Sequence, residues 1–117
     1  MNKFIGLVGL GYWGKNVLRN FHELNVLHSA CDESAHTLEE KKKQFPDVNF
    51  VNDVNTLLNN PEITAIAIAT PAVTHFDLVK KALNAGKDVF VEKPLSLTAL
   101  SIPLTNFIFQ RILVVQN

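Results

Sequence analysis

Residues 4–16 read F-I-G-L-V-G-L-G-Y-W-G-K-N. The apolar run Phe4–Val8 ends at Gly9, and Gly11 and Gly14 complete a G-x-G-x-x-G spacing. A short apolar run that stops at glycine has the pattern of a buried strand. Past the glycines, Trp13, Val17, Phe21 and Leu24 recur at helical spacing, so a helix follows. In a strand–turn–helix unit each glycine has a task. Gly9 permits the tight turn, Gly11 lets a phosphate approach the backbone, and Gly14 brings the helix against the sheet. The start of that helix then offers unpaired N–H groups and partial positive charge to an anion.

The same alternation continues along the chain. Val26–Cys31 reads as a second strand ending at Asp32. Thr37-Leu-Glu-Glu40 has the form of a capping box, opening a charged helix that Phe45-Pro46 stops. Phe50-Val51 is a weak third strand, and Asp53 caps a short helix carrying Leu57 and Leu58. Ala65–Ala69 is a continuous apolar strand bounded by Thr70-Pro71. Thr74 caps a helix with Phe76, Val79 and Leu83 on its apolar face, Asp77 in its first turn and Gly86 past its end. Asp88–Val91 is another strand, stopped by Glu92-Lys93-Pro94, and Ile112–Val115 reads as one more. Strands alternating with helices predict an α/β fold, a doubly wound parallel sheet covered on both faces. The glycine loop follows its first strand, where such a fold places its ligand crevice.

Composition removes several function classes. The chain of 117 residues is the size of one domain. Its 11 basic and 11 acidic residues cancel, which argues against nucleic acid or an anionic membrane as partner. Cys31 is the one cysteine, so no internal disulfide forms, no Cys/His cluster suggests a metal, and a reducing, cytoplasmic setting is expected. The N-terminal apolar stretch is brief, broken by glycine and lacks a small-residue cleavage site, unlike a signal peptide. The apolar tail is interrupted by Pro103, Thr105, Asn106, Gln110 and Arg111, which speaks against a membrane span.

Asp32 lies 21 residues after Gly11, at the end of the second predicted strand. A carboxylate there accepts hydrogen bonds from both hydroxyls of an adenosine ribose. Its charge, reinforced by Glu33, repels a 2′-phosphate, and neither Arg nor Lys neighbours the two in sequence. The expected cofactor is therefore a dinucleotide, NAD rather than NADP.

G-L-G-Y-W-G at 9–14, A-C-D at 30–32, A-T-P-A-V-T-H at 69–75 and A-L-N-A-G-K-D-V-F-V-E-K-P at 82–94 together resemble the Gfo/Idh/MocA oxidoreductases. The G-Y-W-G-K-N form is most similar to the sugar-nucleotide branch, the UDP-N-acetylhexosamine or hexosaminuronate 3-dehydrogenases. The resemblance implies an N-terminal NAD(P)-binding Rossmann domain over residues 1–117, followed in the family by a sugar-binding α/β domain on an open antiparallel sheet. It implies hydride transfer between a sugar carbon and the nicotinamide. Carried over residue by residue, Gly9, Gly11 and Gly14 would line the pyrophosphate, with Tyr12 and Trp13 flanking it, and Asp32 would hold the ribose. Thr70, Pro71 and His75 would lie near the nicotinamide half. Glu92 and Lys93 would sit under the nicotinamide ribose, Lys93 reaching the substrate hydroxyl as the catalytic candidate, and the bond before Pro94 would be cis.

Partial burial at a strand's carboxyl end suits a lysine that polarises an oxygen, while pairing of Lys93 with Glu92 is its structural alternative. His75 has one too, as a first-turn residue of its helix. His22, His28 and His36 read as surface or packing residues, Lys41–Lys43 as a solvated helix face, and Cys31 and Phe21 as core.

Residues 99–117 depart from the family's pattern. Between Pro94 and Asn117 the only charge is Arg111, and Pro103 interrupts the stretch where a helix belongs. The expectation is a truncated product or fragment, with a frame change after about Thr98, that lacks the substrate domain. Two functional classes follow: half of an oxidoreductase, with a sugar nucleotide as its further expected partner, or a module that holds NAD without turnover, as a subunit or remnant. The apolar tail also favours self-association into a homo-oligomer.

Overall fold

The computed structural model of the protein describes residues 2–92 and 112–115. The elements run β1 (Ile5–Val8), α1 (Gly14–Glu23), β2 (Leu27–Cys31), α2 (Ala35–Gln44), β3 (Asn49–Val51), α3 (Val54–Leu58), β4 (Ala65–Ile68), α4 (His75–Asn84), β5 (Asp88–Glu92) and β6 (Ile112–Val115), with a 3-10 turn at Ala72–Thr74 before α4. The strands make one sheet in the order β3-β2-β1-β4-β5-β6, and every neighbouring pair is parallel. From β1 the chain builds outward to β3, then returns to the other side of β1 to lay down β4, β5 and β6. The direction of winding therefore reverses between β1 and β4, and the loops leaving their carboxyl ends diverge to open a crevice.

The pleat sorts the core. Ile5, Leu7, Ala65 and Ala67 point to the face covered by α1 and α2, where Leu18 is fully buried and Phe21 and Leu38 pack in support. Val8, Ile66, Ile68, Val89 and Val91 point to the other face, under Leu57 of α3 and Val79, Ala82 and Leu83 of α4. Each buried aliphatic side chain contributes about 1.5–3 kcal/mol, enough to dock helices too short to be stable alone. Cys31 is part of this core, as its type suggests.

Several local expectations change. The cap of α2 is Ser34, whose Oγ accepts from the Thr37 N–H at 3.2 Å; Thr37 lies inside the helix, and Glu40 pairs with His36 at 3.0 Å instead of closing a capping box. A cap three residues earlier prevails because Ser34 already has the extended backbone that a cap requires. Thr74 occupies the N-cap of α4, but its hydroxyl donates to the Pro71 carbonyl at 2.7 Å rather than accepting from the helix. Leu24 is the C-cap of α1 and 64% exposed, not part of the apolar face. Lys42 is exposed, as expected of the lysine face, and its ammonium also donates to the Pro46 and Val48 carbonyls and closes the α2–β3 turn.

Asp53 caps α3 as expected, accepting from Asn55 N at 2.9 Å, and Gly86 ends α4 in the left-handed region at φ 80°. One buried lysine escaped sequence reasoning. Lys87 is 7% exposed and donates to the Asn60 and Ile63 carbonyls, tying the turn before β4 to the start of β5. The atypical stretch at 99–110, with the self-association expected of it, lies outside the described residues, as do Lys93 and the bond before Pro94.

Candidate cofactor site

The loop after β1 is clamped from two sides. Gly9 N–H donates to the Cys31 carbonyl and Ala69 N–H to the Val8 carbonyl, both at 2.8 Å, so the ends of β1, β2 and β4 are fixed together. Gly9 has φ 102°, and a Cβ there would stand 2.8 Å from the Ala69 backbone. A Cβ on Gly14 would collide with the Gly9 carbonyl, so the close helix approach assigned to Gly14 is a contact of loop backbone with helix start. Gly11 differs. A Cβ on it would meet nothing within 4 Å, because it faces open space.

That space is a cavity of about 950 Å³ at the carboxyl ends of the strands. Gly9, Gly11, Tyr12 and Trp13 line one side, and Thr70 and Pro71 line another. The start of α1 adjoins it without a side-chain cap, since Trp13 makes no cap hydrogen bond and its first turn carries no acid. The Lys15 and Asn16 N–H groups of the first turn donate to the Gly11 and Trp13 carbonyls, both at 3.0 Å, so only the donors ahead of them are left to a ligand or solvent. Residues that would sterically block a phosphate are absent where Gly11 opens, so a dinucleotide fits the chain's own backbone here.

Asp32 lies where β2 ends and also lines the cavity. Its Oδ2 accepts from Leu10 N–H at 2.9 Å and its Oδ1 from Ser34 N–H at 2.8 Å. Each carboxylate oxygen keeps a further lone pair, so the group can take two hydroxyls while it stays anchored. The first of these bonds makes Asp32 a structural member of the glycine loop, a role that sequence spacing did not reveal.

Thr70 is set by its neighbours. The hydroxyl proton of Thr74 goes to the Pro71 carbonyl, so Thr70 donates to Thr74 Oγ1 at 2.5 Å. His75 is 3% exposed and does not line the cavity. Its Nε2 stands 2.8 Å from the Thr70 carbonyl, and as a carbonyl only accepts, Nε2 carries the proton. His75 therefore lies beneath the loop and holds it. Gly14, likewise, is buried behind the cavity. Of Glu92 the backbone alone is described, as the last residue of β5.

Three acids gather at the β2 and β3 side: Asp32, Glu33 and Asp53 all line the cavity. Burial, then the charges of Asp32, Asp53 and Glu33, push the Cys31 thiol up to about 11. Residues missed by sequence reasoning come from the β3–α3 junction, where Asn52, Asp53 and Val54 line the cavity, and from α4. Asp77, Leu78 and Lys81 line the same cavity, so a lysine shares the space of Asp32 although none neighbours it in sequence. The i, i+4 spacing of Asp77 and Lys81 puts them on one helix face, but nothing in the spacing says which way that face turns.

The chain matches the GFO_IDH_MocA family, described as an oxidoreductase family with an NAD-binding Rossmann fold, over residues 3–102. It belongs to the Gfo/Idh/MocA oxidoreductase family. Among Gfo/Idh/MocA relatives, the uncharacterized oxidoreductase YdgJ of Escherichia coli (strain K12) is 39% identical over 104 residues, 80% of this chain and 27% of its own. The scyllo-inositol 2-dehydrogenase (NADP(+)) IolW of Bacillus subtilis (strain 168) is 36% identical over 102 residues, 81% of this chain and 26% of its own. A crystal structure of a probable dehydrogenase from Thermotoga maritima superposes with a TM-score of 0.82 at 27% identity, covering 94% of this chain and 34% of that one. The chain thus spans about a quarter to a third of the length of the relatives it matches. It is the NAD(P)-binding Rossmann domain of the family. Among the described residues no group of three His, Cys, Asp or Glu could hold a metal ion, and no helix is long and apolar enough to cross a membrane.

Proposed function

We propose that this domain binds NAD(H) in preference to NADP(H), within an oxidoreductase that moves a hydride between the nicotinamide and a carbon of a sugar or sugar nucleotide. The observation that carries the cofactor reading is Asp32, anchored through both oxygens to backbone N–H groups beside the glycine loop and facing the cavity into which Gly11 opens. Gly9 and Gly14 shape the loop, Gly11 and the start of α1 receive the pyrophosphate, and Tyr12 and Trp13 flank it. Asp32 takes the adenosine ribose hydroxyls, and Asp32, Glu33 and Asp53 together disfavour a 2′-phosphate. Thr70 and Pro71, held by His75, border the nicotinamide half, with Glu92 and Lys93 beneath the nicotinamide ribose and Lys93 as the residue that polarises the substrate hydroxyl.

The nicotinamide, when bound, would take up or give the hydride; the chain's residues bind and orient it. By itself the chain turns over little or no substrate. Hydride transfer needs the reacting carbons held within ~3–3.5 Å, and the family resemblance implies that a second domain holds the sugar. Trp13 is the chain's single tryptophan and lines the cavity. Titrating NAD+, NADH and NADP+ against its fluorescence tests the site: saturation by NAD(H) with much weaker NADP+ binding is expected, and a folded chain that responds to none of them refutes it. NAD+ reduction with sugar nucleotides above a Gly11→Val control would refute inactivity.

A further inference from the structure

Two sets of hydrogen bonds organise the loops around the cavity, and they share no residue. Beside β2, Gly9 N–H donates to the Cys31 carbonyl, and Asp32 accepts from the Leu10 and Ser34 N–H groups. Beside β4, the members are Thr70, Pro71, Thr74 and His75. The first set shapes the glycine loop and fixes the acid at the end of β2. The second shapes the loop between β4 and α4.

Thr70 and Pro71 line the cavity, and the carbonyls of both are held by the residues at the start of α4. The Thr70 carbonyl accepts from His75 Nε2–H at 2.8 Å. The Pro71 carbonyl accepts twice from Thr74, from its N–H at 2.9 Å and from its hydroxyl at 2.7 Å, which occupies both of its lone pairs. Thr74 Oγ1 in turn accepts from the Thr70 hydroxyl at 2.5 Å, so the bonds close on themselves through side chain and backbone. Pro71 stiffens the turn further, since its ring fixes φ near the observed −56°. A loop held in this way is ordered before a ligand arrives, and the ligand's binding energy is not drawn on to order it.

We infer that Thr74 and His75 are positioning residues that set this domain's preference for a complete dinucleotide over its ADP-ribose part. The inference rests on the reading that Thr70 and Pro71 border the nicotinamide half. Each residue acts by holding one carbonyl of the loop, so that the surface met by the nicotinamide is in place in advance. Thr74 lines the cavity, whereas His75 is 3% exposed and does not, so an effect shared by both separates holding the loop from touching the cofactor. The adenosine ribose and the pyrophosphate depend on the other set of bonds, and ADP-ribose should not register a change in this one.

The test titrates NADH and ADP-ribose, the same dinucleotide without its nicotinamide, against Trp13 fluorescence in the full chain. The unaltered chain should bind NADH the more tightly. His75→Leu and Thr74→Val each remove a bond to the loop. They should weaken NADH binding about tenfold and leave ADP-ribose binding within about twofold. His75→Gln, whose amide N–H replaces Nε2–H, and Thr74→Ser, which keeps the hydroxyl, should restore most of the NADH affinity. Circular dichroism checks folding, and Thr74→Val, a near-isosteric change at a half-buried position, carries the test if His75→Leu does not fold. Equal losses for both ligands overturn the inference and make the pair a support of the whole domain. Unchanged NADH affinity in the leucine and valine variants overturns it as well. Equal binding of NADH and ADP-ribose by the unaltered chain overturns both the inference and the place of the nicotinamide half, while Asp32 and the glycine loop keep their roles. Failure of the unaltered chain to bind either ligand refutes the cofactor site itself, and the inference with it.

Discussion

Replacing Gly9 and Gly11 one at a time by alanine separates the two tasks that the sequence pattern assigns to them. At Gly9 the backbone is left-handed, φ 102°, which costs a residue with a Cβ about 1–2 kcal/mol. The new methyl would also stand 2.8 Å from the Ala69 backbone carbon and oxygen and 2.9 Å from Thr70 Cγ2, and the backbone atoms cannot rotate away. Overpacking of this kind adds about 1–3 kcal/mol. Gly9→Ala should therefore lose about 2–5 kcal/mol, which for a domain of this size lowers Tm by roughly 10 °C or more. At Gly11 the methyl meets nothing within 4 Å, and φ is not left-handed. Gly11→Ala should leave stability within about 0.5 kcal/mol, or raise it slightly by restricting the unfolded chain. The same methyl would project into the cavity where the pyrophosphate is proposed to lie, and should weaken NAD+ binding at least about tenfold, or about 1.4 kcal/mol. Urea unfolding followed by circular dichroism reads the first quantity, and Trp13 fluorescence titration reads the second. A Gly11→Ala chain as unstable as Gly9→Ala would refute the account of the loop. A Gly11→Ala chain that binds NAD+ normally would refute the phosphate position.

Asp32→Asn should bring NAD+ and NADP+ affinities together, about tenfold in their ratio, because one negative charge leaves the ribose end; an unchanged ratio in competition titrations would return the preference to other residues. The Cys31 thiol is pushed from 9.0 up to about 11, so its neutral form is favoured by folding: that contribution is complete below pH 9 and is lost as pH rises from 9 to 11. Unfolding midpoints of the protein should fall more steeply over that range than those of Cys31→Ala, and thiol reagents should react with Cys31 slowly at pH 8 unless urea is present. Lys87→Met should cost about 2–4 kcal/mol in urea unfolding, since the Asn60 and Ile63 carbonyls lose the ammonium that satisfies them, yet NAD+ affinity in the folded fraction should not change.

Periodicity made nearly every strand and helix legible, because the inward-facing residues are aliphatic and the turns are marked by glycine, proline or a capping acid. A helix start was displaced by three residues where the cap lies outside the apolar pattern, as Ser34 does for α2. Thr74 was misplaced in role rather than position. Its hydroxyl had a nearer acceptor in the Pro71 carbonyl, which becomes available through the 3-10 turn, a local geometry that composition does not encode. His75 shows the same limit. A histidine opening a helix can face a ligand or the core, and packing decides that here its ring goes under the loop to hold Thr70.

The sequence by itself determined the order of the elements, the place of the phosphate loop and the acid that follows it. These depend on local rules: a two-residue period, a 3.6-residue period, and glycine where no side chain fits. Only the tertiary structure decided that Asp32 is bonded to Leu10 across 22 positions and that Asp77 and Lys81 share a cavity with Asp32. The reason is the crossover topology. A parallel sheet brings together the carboxyl ends of strands that are far apart in the chain, and the spacing along any one segment carries no record of what the next strand will bring beside it.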